Sequence, residues 1–224
     1  MTSEKGASIK TNQQGAYGDL LGRCFELPCA PALVMWPAPA QAVFDPPAVF
    51  DAPAMFAVTR ITCLPGQLGM KLEIPAEDAF LVTLHLVAMR HHETWVRGRP
   101  AVVRGYAPGA LSIVDLRDEV ASYLGTPLDA LHFYVPHALV RAVARAQGMA
   151  RVNGIACMPG LVDPVMCSLG AAVLALLERP QRSSARAQRH LALAICAHLV
   201  DSFKTTTGAV APGLRASAYR SALH

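Results

Sequence analysis

Turn residues interrupt the chain between Met55 and Pro136 too often for any long helix to form there. "MFAVTRITC" (55–63) is rich in Val, Ile, Thr and Phe, and "AFLVTLHLVAM" (79–89) is a nearly continuous apolar run. Such a run suits a strand buried on both faces. "ETWV" and "RPAVV" flank Arg97-Gly98 and predict a hairpin, with the glycine free to take a positive φ. "ALSIVDL", "EVASYL" and "ALHFYV" add three more strands between Pro108-Gly109, the charged "DLRDE" and Gly125-Thr126-Pro127. Seven or so short strands with tight turns predict an antiparallel barrel or sandwich.

The period changes at Pro136. "HALVRAVARAQGM" (137–149) places Leu139, Val143 and Ala146 on one helical face and Arg141 with Arg145 on another. "DPVMCSLGAAVLALLE" (163–178) opens on an Asp cap followed by Pro at the first helical position, a strong start signal. A third helix is expected over 183–203. In it Leu191, Ile195 and Leu199 line one side while Leu193, Cys196 and Val200 line the other. A helix apolar all round must be covered on two sides, so these six residues are candidates for a dimer interface as well as for internal packing. The expected organisation is a flexible N-terminus (1–17), a sheet domain (18–136), a helical dimerisation subdomain (137–204) and a linker or truncated tail (205–224). Prolines at 37, 39, 46, 47 and 53 make 33–53 an irregular or edge segment.

Composition narrows the class. With 53% hydrophobic and 16% charged residues over 224 positions, the chain buries a core and is not a disordered segment. A net charge of +4 does not by itself argue for nucleic acid. The N-terminal stretch has no apolar core of a secretory signal, and no segment approaches the roughly 18 apolar residues of a membrane span. The six cysteines include no C-x-x-C pair, so they read as reduced core thiols and the expected compartment is the cytoplasm.

Several groups could carry chemistry. His85, His92, Glu93 and His132 could supply a metal site of the kind found in cupins. The cupin pattern needs two imidazoles at alternate strand positions, however, and His91 and His92 are adjacent. The second cupin pattern wants a histidine shortly after Pro-x-Gly, and "YAPGALSIVDL" has none. No metal is therefore expected. Asp115, Arg117, Asp118 and Glu119 read as a charged hairpin turn rather than as acid/base groups. Trp95, Tyr106, Tyr123, Phe133 and Tyr134 as a set make a binding cavity credible. Arg179, Arg182, Arg186 and Arg189 read as a solvated face. With His85, His92 and His132, the residues Trp95, Tyr106 and Tyr134 form the candidate ligand-binding set.

"YGDLLGRCFELPCAPALV", "IPAEDAFLVTLHL", "HETWVRGRP", "YAPGALSIVDLRDEVASYLGTPLDALHFYVP", "GLVDPVMCSLGAAVLALLERP" and "HLALAICAHLV" together resemble the N-terminal half of AraC/XylS-family transcriptional regulators. The resemblance runs in order over about residues 16 to 203. It implies an α+β architecture: a cupin-like antiparallel β-barrel, then a helical subdomain that mediates dimerisation. It also implies a small-molecule effector, a homodimer, no cofactor, and contact with DNA only through a helix-turn-helix domain that does not follow in this sequence. The alternative reading is a cupin-like metalloenzyme using His85, His92, Glu93 and His132.

Overall fold

The computed structural model describes residues 56–63, 71–74, 76–149, 151–178 and 185–206. The expectations for 1–17 and 33–53, for Arg179 and Arg182, and for the tail beyond 206 lie outside them.

Eight strands come first, β1 (Ala57–Cys63), β2 (Lys71–Ile74), β3 (Ala79–His85), β4 (Met89–Val96), β5 (Arg99–Tyr106), β6 (Ala110–Asp115), β7 (Val120–Leu124) and β8 (Leu128–Pro136), and all but β2 fall on the predicted runs. One boundary needs correction. The run 79–89 is not a single strand, because it turns after His85 and Met89 already belongs to β4. The hairpin at Arg97-Gly98 forms with φ of 52° and 72°, the paired positive values of a tight primed turn whose twist suits the flanking strands.

Helices α1 (His137–Ala146), α2 (Pro164–Glu178) and α3 (Ala185–Phe203) follow, close to the predicted spans. Three further strands occur where the sequence gives no strong alternation: β9 (Val152–Ile155), β10 (Met158–Val162) and β11 (Lys204–Thr206). Strand β11 pairs antiparallel with β9, so the residues just after α3 begin as a strand and not as a linker.

Two antiparallel sheets carry the fold. The first has the order β1-β8-β3-β6-β10 and the second β2-β7-β4-β5. Among the described residues they share no ladder, so the expected barrel is here a pair of facing sheets within an α+β fold. On one side of the first sheet Val58, Phe133, Val82 and Ile113 stand opposite one another in register. They join Leu84, Leu111, Leu131, Val140, Met166, Val173, Ile195 and Leu199 in one core shared with all three helices. Gly170 lets α2 lie close to the sheet, since a Cβ there would run into Leu84 Cδ2.

That shared core corrects the reading of α3. Ile195, Cys196, Leu199 and Val200 are each at most 2% exposed, covered by the chain's own sheet and helices. Leu191 is half-buried against the same core, and only Leu193 is open, at 41%. Two apolar sides do need two covers, but for most of these residues the covers are intramolecular. Arg186 and Arg189 fall on α3.

Asp163 starts α2 as predicted. Its Oδ1 accepts from the Met166 N–H at 2.8 Å, and its carboxylate also accepts from His198 Nε2 on α3 at 3.0 Å. Burial opposes ionisation, but the Met166 N–H and His198 outweigh it and hold the carboxyl below its usual range. Replacing Asp163 with Ala removes the cap and the link to α3 together, and we expect a loss of about 1–2 kcal/mol. A drop in the urea midpoint larger for Asp163→Ala than for Asp163→Asn would bear this out, because Asn still caps.

A candidate ligand cavity between the two sheets

The other face of the first sheet is of a different kind. Across it Thr59, His132, Thr83 and Ser112 stand opposite one another in register, a polar row in the middle of the sheet. The row on one side is Ile61, Ala130 and His85, and on the other Ala57, Tyr134, Leu81 and Val114. These rows face the second sheet. Ile61, Ala110, Leu128 and Ala130 cluster with Met89 and Tyr106 at one end. At the other end Ala57, Ala79, Leu81, Leu116 and Tyr134 cluster, with Ile74 packed on them. The space between the sheets is thus apolar at both ends and polar in the centre.

The second sheet supplies matching polar groups. His92, Thr94 and Ser122 share its inner face, where His92 Nε2 pairs with Ser122 Oγ at 2.7 Å. Tyr106, at the end of β5, bridges the sheets: its ring stacks on His85 at 4.2 Å and 11°, and lies 5.5 Å from the ring of His92. Thr83 and His132 sit on inner strands of a five-stranded sheet, yet both keep partial exposure while Val82 and Phe133 on the opposite face have none. Interior strand positions stay accessible only where the facing layer stands off, so the sheets are not packed dry at their centre.

Burial shapes the electrostatics. It lowers the pKa of His85 from 6.5 to about 3, with His132 and His92 adding repulsion. It lowers His92 to about 4, helped by His91 and opposed by Glu93, and it lowers His132 to about 4, helped by His92. All three imidazoles are therefore neutral near pH 7. Both ring nitrogens of His85 and Nδ1 of His92 are sealed from solvent and have no hydrogen-bond partner among the described residues.

Of the six sequence-predicted site residues, the structure brings His85, His92, Tyr106 and His132 together. Tyr134 lines the same gap one row beyond His132. Trp95 does not join them. Strand β4 keeps a regular register against β7, which puts Trp95 on the face opposite His92 and Thr94. Glu93 shares that outer face, where its Oε1 accepts from His91 Nε2 at 2.7 Å, so it cannot complete a set with His92. Among the described residues no three His, Cys, Asp or Glu side chains converge to hold a metal ion. The donor set among the described residues does not fit a cupin-type metal centre.

Sequence reasoning missed Thr59, Thr83, Thr94, Ser112 and Ser122. The available signal was the spacing of Thr83 and His85 two apart, with Phe80, Val82 and Leu84 between and before them. It also read "DLRDE" as a turn only. Asp115 does sit at that turn, but it accepts as well from Nε2 of His137, the fully buried first residue of α1, at 3.0 Å. Burial pushes the Asp115 carboxyl up, and the hydrogen bonds from His137 and Arg117 override this and hold it well below the usual range. His137 in turn lies 4.0 Å from the Phe80 ring, so this pair joins the hairpin to α1 and has a structural role.

Cys157, Cys167 and Cys196 are free thiols. Cys157 is exposed, whereas Cys196 is buried in the core. No helix among the described residues is long and apolar enough to cross a membrane.

No family model matches the chain, and no curated protein is similar to it in sequence. Among solved structures, the AraC-like transcriptional activator CuxR is 13% identical with a TM-score of 0.43, over 73% of this chain and 57% of that one. The cupin domain of Schizosaccharomyces pombe Cnp3 is 10% identical with a TM-score of 0.31, over 54% and 70%. A predicted oxalate decarboxylase from Thermotoga maritima is 17% identical with a TM-score of 0.27, over 37% and 67%. This chain spans less than two thirds of the length of CuxR.

Proposed function

We propose that this chain is the effector-sensing part of an AraC-type transcriptional regulator and is not itself an enzyme. The observation that carries the reading is the group of neutral imidazoles around Tyr106 in the gap between the sheets. Buried polar groups normally have partners, and the partners of His85 and His92 have to come from a bound molecule or from water. A hydrogen-bonding surface with apolar ends holds and orients a small ligand. Ser122 Oγ does lie 2.7 Å from His92 Nε2, but none of the hydrogen bonds of His85, His92 or His132 among the described residues is to a carboxylate that would form a relay. The ordered resemblance over residues 16 to 203 supports the regulatory half of the reading.

In this reading the effector acts by binding one conformation better than another, and so shifts a population that a linked DNA-binding domain senses. Two copies associate, and of the helix residues first considered Leu193 is the one with free surface to take part. A thermal-shift screen of small aromatic and fatty compounds tests the sensing role. A ligand at about 100 times its Kd stabilises the fold by about 2.7 kcal/mol, a rise of several degrees. Stoichiometric zinc, iron or manganese in the purified protein, with turnover of a small organic acid, would instead establish the metalloenzyme.

A further inference from the structure

Resting on that sensing role, we propose that the cavity takes an uncharged hydroxyl compound with a small apolar body, its hydroxyl hydrogen-bonded to His85 and its arrival displacing the Tyr106 ring. Three observations lead there. First, His85 is 2% exposed and both its ring nitrogens are unpartnered, as is Nδ1 of His92. A neutral imidazole has one N–H and one bare nitrogen, so whatever satisfies it must both accept and donate. The two nitrogens point apart, so one hydroxyl meets one of them, and it suits either tautomer because it can accept or donate there. A carboxylate only accepts, and an ammonium only donates.

Second, the first sheet's side of the gap carries no charge. The inward register positions of β1, β3, β6 and β8 are Ala57, Thr59, Ile61, Ala79, Leu81, Thr83, His85, Ala110, Ser112, Val114, Leu128, Ala130, His132 and Tyr134, with no ionised group among them. On β4 and β7 they are His92, Thr94, Val96, Val120 and Ser122. No acidic residue stands at any of these positions to offset a cation. On β5 Arg104 is opposite His92 in the register, which makes an anionic ligand the rival to exclude. Third, both ends of the gap are apolar, with Ile61, Met89 and Leu128 clustered at one and Leu81, Leu116 and Tyr134 at the other. They suit a hydrocarbon body beside the hydroxyl.

The Tyr106 stack explains how such a site is kept shut. The ring covers His85 so closely that no solvent reaches its nitrogens. Leaving buried donors and acceptors unmade is costly, so the closed arrangement is one that a hydroxyl-bearing ligand can outcompete. The ligand gains a hydrogen bond at His85 that the closed form lacks, and this difference between states is what a ligand needs to shift a population.

The test uses four probes of one size: phenol, toluene, benzoate and benzylamine, titrated calorimetrically and by thermal shift at pH 7.5. Phenol is expected to bind and to raise the melting temperature. Toluene, lacking the hydroxyl, should bind at least about tenfold more weakly, because it leaves His85 unpaired. His85→Phe should fold at least as well as the parent and lose phenol affinity at least about tenfold, and His92→Leu gives the same reading if His85→Phe fails to fold. Equal or tighter binding of benzoate would overturn the choice of an uncharged ligand, and unchanged phenol affinity in both variants would remove the imidazoles from the site. If phenol fails while some other compound of the wider screen binds, the sensing role stands and this assignment falls. If nothing in the wider screen binds either, both fall.

Discussion

Val200→Asp is expected to abolish folding, while Leu193→Asp in the same helix leaves stability within about 0.5 kcal/mol of the parent. The two residues lie two turns apart on α3 and are equally apolar by type, yet Val200 is completely buried and Leu193 is 41% exposed. At position 200 the carboxylate would enter the apolar core shared by the first sheet and all three helices. An unpaired charge in such a site costs at least about 4 kcal/mol, a large share of the roughly 5–15 kcal/mol that holds a domain together. Circular dichroism and urea titration of the two variants read the difference directly. A folded Val200→Asp protein with near-parental stability would mean that α3 does not pack as described. The exposed variant serves a second purpose. Sedimentation that shifts towards monomer in Leu193→Asp, with the fold intact, places this residue in a contact between copies.

Acid should destabilise the protein before its carboxylates are protonated. In the unfolded chain His85, His92 and His132 take up a proton near pH 6.5, whereas in the fold they stay neutral down to about 3, 4 and 4 respectively. Between those values the unfolded chain binds more protons than the native one, so stability falls as pH falls from 6.5. A shift of one pKa unit corresponds to about 1.4 kcal/mol, so each imidazole withdraws on the order of 3 kcal/mol by pH 4. Repulsion among the three is shared between them, and the combined loss is several kcal/mol rather than three full contributions. Asp115 and Asp163 act in the same direction at lower pH, because their depressed carboxyls stabilise the fold above the ordinary value of 3.8 and lose that contribution below it. The melting temperature should therefore decline steadily from pH 6.5 to 4, and replacing His85 with Phe should flatten the decline. A melting temperature constant over that interval would show that the imidazoles reach solvent and that the cavity is not sealed.

The two results bear on one arrangement. The helices cover one face of the first sheet with hydrocarbon, and this supports the other face, where the ring nitrogens of His85 and Nδ1 of His92 are kept from water. A pocket of that kind needs a rigid back wall, since imidazoles without partners would otherwise be relieved by local opening.

The alternation of short runs and turn residues from Met55 to Pro136 determined seven of the first eight strands, the Arg97-Gly98 hairpin and the antiparallel character of the sheets, because these depend on neighbours in the chain, while β2 was not legible there. The Asp163-Pro164 pair determined the start of α2 for the same reason. Which face of β3 and β8 looks into the gap was not legible, since Phe80, Val82 and Leu84 alternate with Leu81, Thr83 and His85, and both sets are large. Tertiary packing decided it: helices and a second sheet compete for the two faces, and the one carrying Thr83, His85 and His132 met the second sheet. Register along β4 decided in turn that His92 enters the gap while Glu93 and Trp95 do not. Strands β9, β10 and β11 are equally products of packing, for each is held by a partner distant in sequence rather than by its own pattern.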